Sequence, residues 1–113
     1  MLDYENECRY IVDTGDMRFD WDQSKNISNI NKHGISFEEA TTAFNDNQYI
    51  EIDDPEHSDY EERFIIYGIS VQNRLLAVCH TIKEDETCRI ISARKATSTE
   101  EKQYGEKTNA RRI

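Results

Sequence analysis

Apolar and polar positions follow two rhythms along this chain, and each change of rhythm marks an element. The stretches from Arg63 to Ile69, Arg74 to Ile82 and Cys88 to Lys95 are short, apolar and rich in β-branched residues, and polar turns at 70–73 and 83–87 separate them. Such stretches predict strands, and turns this short force neighbouring strands to run antiparallel. Arg18-Phe19-Asp20-Trp21 alternates polar with apolar, the period of a half-buried strand, and Tyr49-Ile50-Glu51-Ile52 is a further short strand.

Between these strands the period lengthens. Asp22 or Ser24 is placed to cap a helix running from about Lys25, in which Ile27, Ile30 and His33 fall on one stripe. Gly34 ends that helix at the position where a positive φ is usual. Ser36-Phe37-Glu38-Glu39 reads as a capping box, hydroxyl and carboxylate each satisfying the other's backbone N–H, and Phe37, Ala40, Thr41 and Phe44 form the buried stripe of a second helix. Residues 53–59 are an acidic, turn-rich loop, and Thr97-Ser98-Thr99-Glu100-Glu101 opens a terminal helix through Tyr104 toward Lys107. The order β-α-α-β-β-β-β-α predicts an α+β fold, an antiparallel β-meander with helices packed on one face. It occupies 18–113 as a single domain, after an extension over 1–17 whose weak apolar pattern assigns it no role.

Composition narrows the class. At 113 residues there is room for one core, and 36% hydrophobic with 33% charged residues describes a small, very polar globular protein. No run of about eighteen apolar residues exists, and the amino terminus MLDYENECRY is acidic where a signal peptide is basic, so a cytoplasmic protein without a membrane segment is expected. Cys8, Cys79 and Cys88 make no C-x-x-C pair, which reads as reduced thiols. The net charge of −9 argues against a nucleic-acid partner. Its distribution modifies that argument: residues 1–62 carry 17 acidic and 4 basic side chains, residues 63–113 carry 6 and 10. A local anion site and a merely solvated charge distribution are both compatible with that asymmetry.

The candidate chemistry lies in Arg63, His80, Arg89, Arg94 and Lys95, polar groups inside or at the ends of the most apolar strands. Strict alternation puts Cys88, Ile90, Ser92 and Arg94 on one face and Arg89, Ile91, Ala93 and Lys95 on the other. If partners across the 83–87 turn sum to an even number, His80 shares a face with Arg94, and this is the expected register because phosphate chemistry needs an imidazole beside a guanidinium; an odd sum pairs His80 with Arg89 instead. Against a functional reading stands the ordinary one, in which Arg63 and Arg94 are strand-end cations paired with Glu61 or Glu101 and Tyr67 and Tyr104 are core-edge aromatics. His33, His57 and His80 match no metal-ligand spacing, so no metal and no cofactor is expected. Cys79 and His80, adjacent on a strand, point to opposite faces and make a poor nucleophile–base pair.

The motifs occur in a recognisable order: Phe19-Asp20-Trp21-Asp22, Lys25-Asn26, Asn29-Ile30-Asn31-Lys32-His33-Gly34-Ile35-Ser36-Phe37-Glu38-Glu39-Ala40, Asp54-Pro55-Glu56-His57-Ser58, Glu61-Glu62-Arg63-Phe64, Gly68, Leu75-Leu76-Ala77-Val78, His80-Thr81 and Arg89-Ile90-Ile91-Ser92-Ala93-Arg94-Lys95-Ala96-Thr97. Over about residues 18–106 this closely resembles the BrnT family of toxins from type II toxin–antitoxin modules. The resemblance implies a RelE-like fold and metal-independent endoribonuclease activity. It also implies a BrnA-like ribbon-helix-helix antitoxin, through which alone the pair contacts DNA and represses its operon. Carried over residue by residue, it makes Arg63 and Arg94 the candidates for phosphate and transition-state contacts, His33 and His80 those for acid–base work, and Lys32, Arg89 and Tyr104 those for positioning RNA. That chemistry requires Arg63 and Arg94 to converge over one sheet surface with an imidazole close by. A catalytically inactive member retained as an antitoxin-binding co-repressor is the alternative.

Overall fold

The computed structural model describes residues 9–13, 17–54 and 62–111. Residues 55–61, with His57 and Glu61, lie outside the described residues, as do Cys8 and most of the amino-terminal extension. The elements run β1 (Arg9–Asp13), β2 (Arg18–Asp22), α1 (Gln23–His33), α2 (Phe37–Thr42), a 3-10 turn (Ala43–Asn45), β3 (Ile50–Asp53), β4 (Phe64–Ile69), β5 (Leu75–Ile82), β6 (Cys88–Lys95) and α3 (Ser98–Arg111). One six-stranded sheet in the order β1-β2-β6-β5-β4-β3 organises them. Strands β3 to β6 form the expected antiparallel meander. The sheet as a whole is mixed, because β2 lies parallel to β6 with Phe19 opposite Cys88, and the fold class is α+β.

Local signals explain where the helices begin and end. The Asp22 carboxylate accepts from the N–H groups of Ser24 and Lys25, and the bond from the Ser24 hydroxyl, ahead of these two, holds its pKa below the usual carboxylate range. Gly34, at φ 72°, closes α1 with its N–H on the Ile30 carbonyl. Ser36 caps α2 by accepting from the Glu39 N–H at 3.0 Å. The reciprocal half of the expected capping box is absent, because Glu39 is buried and its carboxylate is taken by the Ser70 hydroxyl at 2.6 Å and by the Arg74 guanidinium. Burial alone would raise the Glu39 pKa; the bonds from Arg74 and Ser70 bring it below normal.

The main core lies between the sheet and the layer of α1, α2 and the 3-10 turn. Phe19, Trp21, Ile66, Leu76, Val78 and Ile90 meet Ile35, Phe37, Ala40 and Phe44 there, and each fully buried large side chain contributes about 1.5–3 kcal/mol. The expected stripe of α2 is all buried. That of α1 is not: Ile27 is 54% and Ile30 42% exposed, His33 is exposed, and Asn26 and Asn29 face inward instead. They do so because each is fully used as a hydrogen-bonding group: Asn26 Oδ1 accepts from the Phe37 N–H, and Asn29 Nδ2 donates to the carbonyls of Ile35 and Ala93.

Among the described residues the opposite sheet face is only partly covered. Ile50, Tyr67 and Ala77 form a second, smaller cluster with Ile65, Leu75 and Tyr104 of α3. The helices are therefore not all on one face: α1 and α2 cover one side and α3 packs on the other, where the described residues leave part of the sheet open.

An arginine-lined pocket on the open sheet face

The site begins with an irregularity in β6. From Leu76↔Lys95 to Cys79↔Ser92 the partners on β5 and β6 sum to an odd number; from His80↔Ile90 to Ile82↔Cys88 they sum to an even one. A β-bulge between Cys79 and His80 leaves Ile91 as the extra residue. The expected even register therefore holds only on the hairpin side of the bulge, and the face assignment built on it is corrected. Cys88, Ile90 and Ala93 point into the core, whereas Arg89 and Arg94 share the open face.

This places His80 away from Arg94. Its ring is 1% exposed, packed 4.9 Å from the Phe44 ring and 5.9 Å from that of Phe64, with Nδ1 3.2 Å from the Val78 carbonyl oxygen. Burial pushes its pKa down. His33 and Lys32 end α1, exposed, in the layer that covers the other side of the sheet. Tyr104 is half-buried against the second cluster and donates its hydroxyl to Asp46 at 2.6 Å.

Arg63 and Arg94 do come together. Arg63 precedes β4, its carbonyl accepting the Asp54 N–H at 2.9 Å, and Arg94 sits opposite Ala77 near the end of β6. Both line a pocket of about 310 Å³ whose floor is Ile65, Ala77 and Ile91 and whose polar wall includes Asp54, Cys79 and Ser92. Among the described residues no imidazole lines it. The Cys79 thiol, 3.7 Å from Asp54, has its pKa pushed up to about 11 by burial and by that carboxylate, so it is no nucleophile. A larger hollow of about 740 Å³ at the hairpin end is lined by Glu62, Glu84 and Asp85 against one lysine, Lys83. Its charge is wrong for a phosphate, and the smaller pocket is the better anion site.

Arg94 is also held from one side. Its Nη1 and Nη2 donate to Glu100 Oε1 and Oε2 at 2.8 and 3.0 Å, and the Tyr67 hydroxyl donates to Oε2 at 3.2 Å. The bonds from Arg94 come first in drawing the Glu100 pKa down to about 2. Glu100, rather than the anticipated Glu101, is the partner of Arg94, and the anticipated Glu61 lies outside the described residues. The Thr97-x-x-Glu100 spacing was the available signal, since Glu100 accepts from the Thr97 N–H at 2.8 Å. Tyr67 carried no sequence signal beyond its strand position, whereas Asp54, just after β3, opens the Asp54-Pro55-Glu56-His57-Ser58 motif. Further along the open face, Arg89 Nε and Lys83 Nζ share the buried Asp20 carboxylate at 3.2 and 2.9 Å. Among the described residues no three His, Cys, Asp or Glu side chains gather as metal ligands do, and no helix is long and apolar enough to cross a membrane.

A mixed sheet half-covered by helices, with two guanidinium groups converging on its open face, defines an α+β domain fitted to bind an anion. The comparison with known families makes this specific. The family model for the ribonuclease toxin BrnT of type II toxin–antitoxin systems matches residues 21–100, and the chain belongs to that family. Membership makes it a toxin of the endoribonuclease class, with RNA as the substrate and an antitoxin as the partner. No curated protein matches the chain in sequence.

Proposed function

We propose that the pocket seats the scissile phosphodiester of RNA and cleaves it without a metal. The RNA 2′-oxygen attacks the adjacent phosphorus, the bond from phosphorus to the 5′-oxygen breaks, and a 2′,3′-cyclic phosphate and a 5′-hydroxyl result. Arg63 and Arg94 take the charge that builds on the phosphoryl oxygens. The 2′-hydroxyl proton passes to Asp54, the carboxylate of the pocket wall, and the 5′-oxygen takes its proton from water. Neither His33 nor His80 is placed to serve that pocket, so the acid–base role moves to Asp54. The observation that carries the reading is the convergence on one pocket of Arg63, just before β4, and Arg94, near the end of β6.

In the same reading the protein acts in the cytoplasm, is held inactive by a BrnA-like ribbon-helix-helix antitoxin, and with it represses their common operon. The test is incubation of the purified protein with a long RNA in EDTA, beside Arg63→Ala and Arg94→Ala. Loss of one such charge-stabilising donor is expected to slow cleavage about 10²–10³-fold. Undiminished cleavage by folded variants would remove both arginines from the mechanism.

The bidentate hold of Glu100 on Arg94 favours a second reading, a member that binds its antitoxin without cutting RNA. That reading predicts no cleavage by the wild type in EDTA or in magnesium, with antitoxin binding intact.

A further inference from the structure

Glu100 belongs to two structures at once. As the third residue of α3 it completes a capping box, its N–H donating to Thr97 Oγ1 at 3.2 Å while its carboxylate accepts the Thr97 N–H. The same carboxylate occupies both prongs of the Arg94 fork and takes the Tyr67 hydroxyl. A planar guanidinium presents that fork to a phosphate in the same bidentate way, so Glu100 stands where a phosphate would bind. The Arg94 side chain remains 39% exposed while that of Glu100 is 15% exposed. The cation is thus reachable from the pocket while its partner is tucked beneath the helix start.

We propose that Glu100 is a resident counter-ion that sets the substrate class, reserving Arg94 for a polynucleotide strand and refusing single phosphates. The inference rests on the phosphate-binding role given to Arg94 above. A lone phosphate or mononucleotide must displace an intramolecular carboxylate already in position, a competitor of high effective concentration. A strand is held at several points before it reaches Arg94: Arg63 lies in the same pocket, and Arg89 lies further along the same face. Its phosphate therefore also arrives at high effective concentration and exchanges with Glu100. The depressed Glu100 pKa keeps the carboxylate ionised at any working pH, so the seat is vacated by exchange rather than by protonation.

The experiment uses the full chain and a single-stranded 2′-deoxy oligonucleotide of about ten nucleotides, which lacks the attacking hydroxyl and so reports binding alone. Glu100→Gln keeps the capping box, which accepts Gln, and removes the charge. Expected are about tenfold tighter oligonucleotide binding in Glu100→Gln, a new sensitivity of that binding to inorganic phosphate, and no gain in Arg94→Ala/Glu100→Gln. Tyr67→Phe removes one donor to Glu100 without changing charge and is expected to shift both readouts the same way, by about two- to threefold. Unchanged affinity in both single variants, or a gain that survives loss of Arg94, would overturn the proposal. The two readings fail separately: if Arg94→Ala abolishes RNA cleavage while Glu100→Gln binds as the wild type does, only the counter-ion role falls. If no protein cleaves RNA but Glu100→Gln gains affinity through Arg94, the counter-ion role stands and the ribonuclease reading falls.

Discussion

At Gly68 a methyl group would sit 2.5 Å from the Ala43 carbonyl oxygen, so the 3-10 turn rests directly on the backbone of β4. The contact is to backbone, which has no rotamer to yield, and Gly68→Ala is expected to cost about 1–3 kcal/mol. A lower urea midpoint with an unchanged slope would register it, and an unchanged midpoint would show that the turn moves aside. His80 gives the other residue-level prediction. Its folded pKa lies below the unfolded value because burial disfavours the imidazolium, so below about pH 6.5 the unfolded chain takes up a proton that the folded one refuses. Stability is then full above that pH and declines as the pH falls from it. The Glu100 carboxylate, depressed to about 2, stabilises the fold above its ordinary range and loses that effect only in stronger acid. A fall in melting temperature between pH 7 and 5 is therefore expected to shrink in His80→Leu, and an equal fall in the variant would assign it elsewhere.

Elements show what the pattern of residues could and could not reveal. Strands β4, β5 and β6 and the buried stripe of α2 were legible because apolar burial alone decides them. The bulge in β6 was not, because its extra residue, Ile91, is as apolar as its neighbours and period-two counting has no place for it. That one residue exchanged the partners of Arg94, separating it from His80 and aligning it with Arg89. The inward face of α1 was hidden for a different reason. Hydrophobic periodicity assigns Ile27 and Ile30 to the core, but Asn29 wins the place through bonds to a strand 64 residues away in sequence: Nδ2 on the Ala93 carbonyl at 2.7 Å, and Oδ1 accepting the Ala93 N–H at 3.2 Å. The amide acts as a substitute strand beside β6, where β2 no longer pairs. Asn29→Leu keeps the branched shape and leaves the buried Ala93 and Ile35 groups without this partner, which should cost about 2–4 kcal/mol. Chemical denaturation measures it, and a neutral result would mean that water replaces the amide.

For the whole molecule, the difficulty is that a chain of net charge −9 acts on a polyanion. Long-range attraction is unavailable, so binding must come from cations close enough to touch phosphates, and the open face supplies Arg63, Arg94 and Arg89. Each phosphate neutralised on a single strand releases counter-ions and contributes about −0.7 to the slope of log K against log salt. Three contacts would give about −2, and salt screening of the remaining acidic surface pulls the measured slope toward zero. Arg89 lies beyond the pocket and outside the proposed chemistry. Arg89→Ala should therefore flatten the slope by about 0.7 and weaken binding at low salt, while cleavage under saturating RNA persists. A slope that Arg89→Ala leaves unchanged would confine RNA to the pocket and place its flanking phosphates on some other surface. A slope near zero in the wild type would mean that the acidic surface outweighs these cations, leaving an additional basic partner to deliver the RNA.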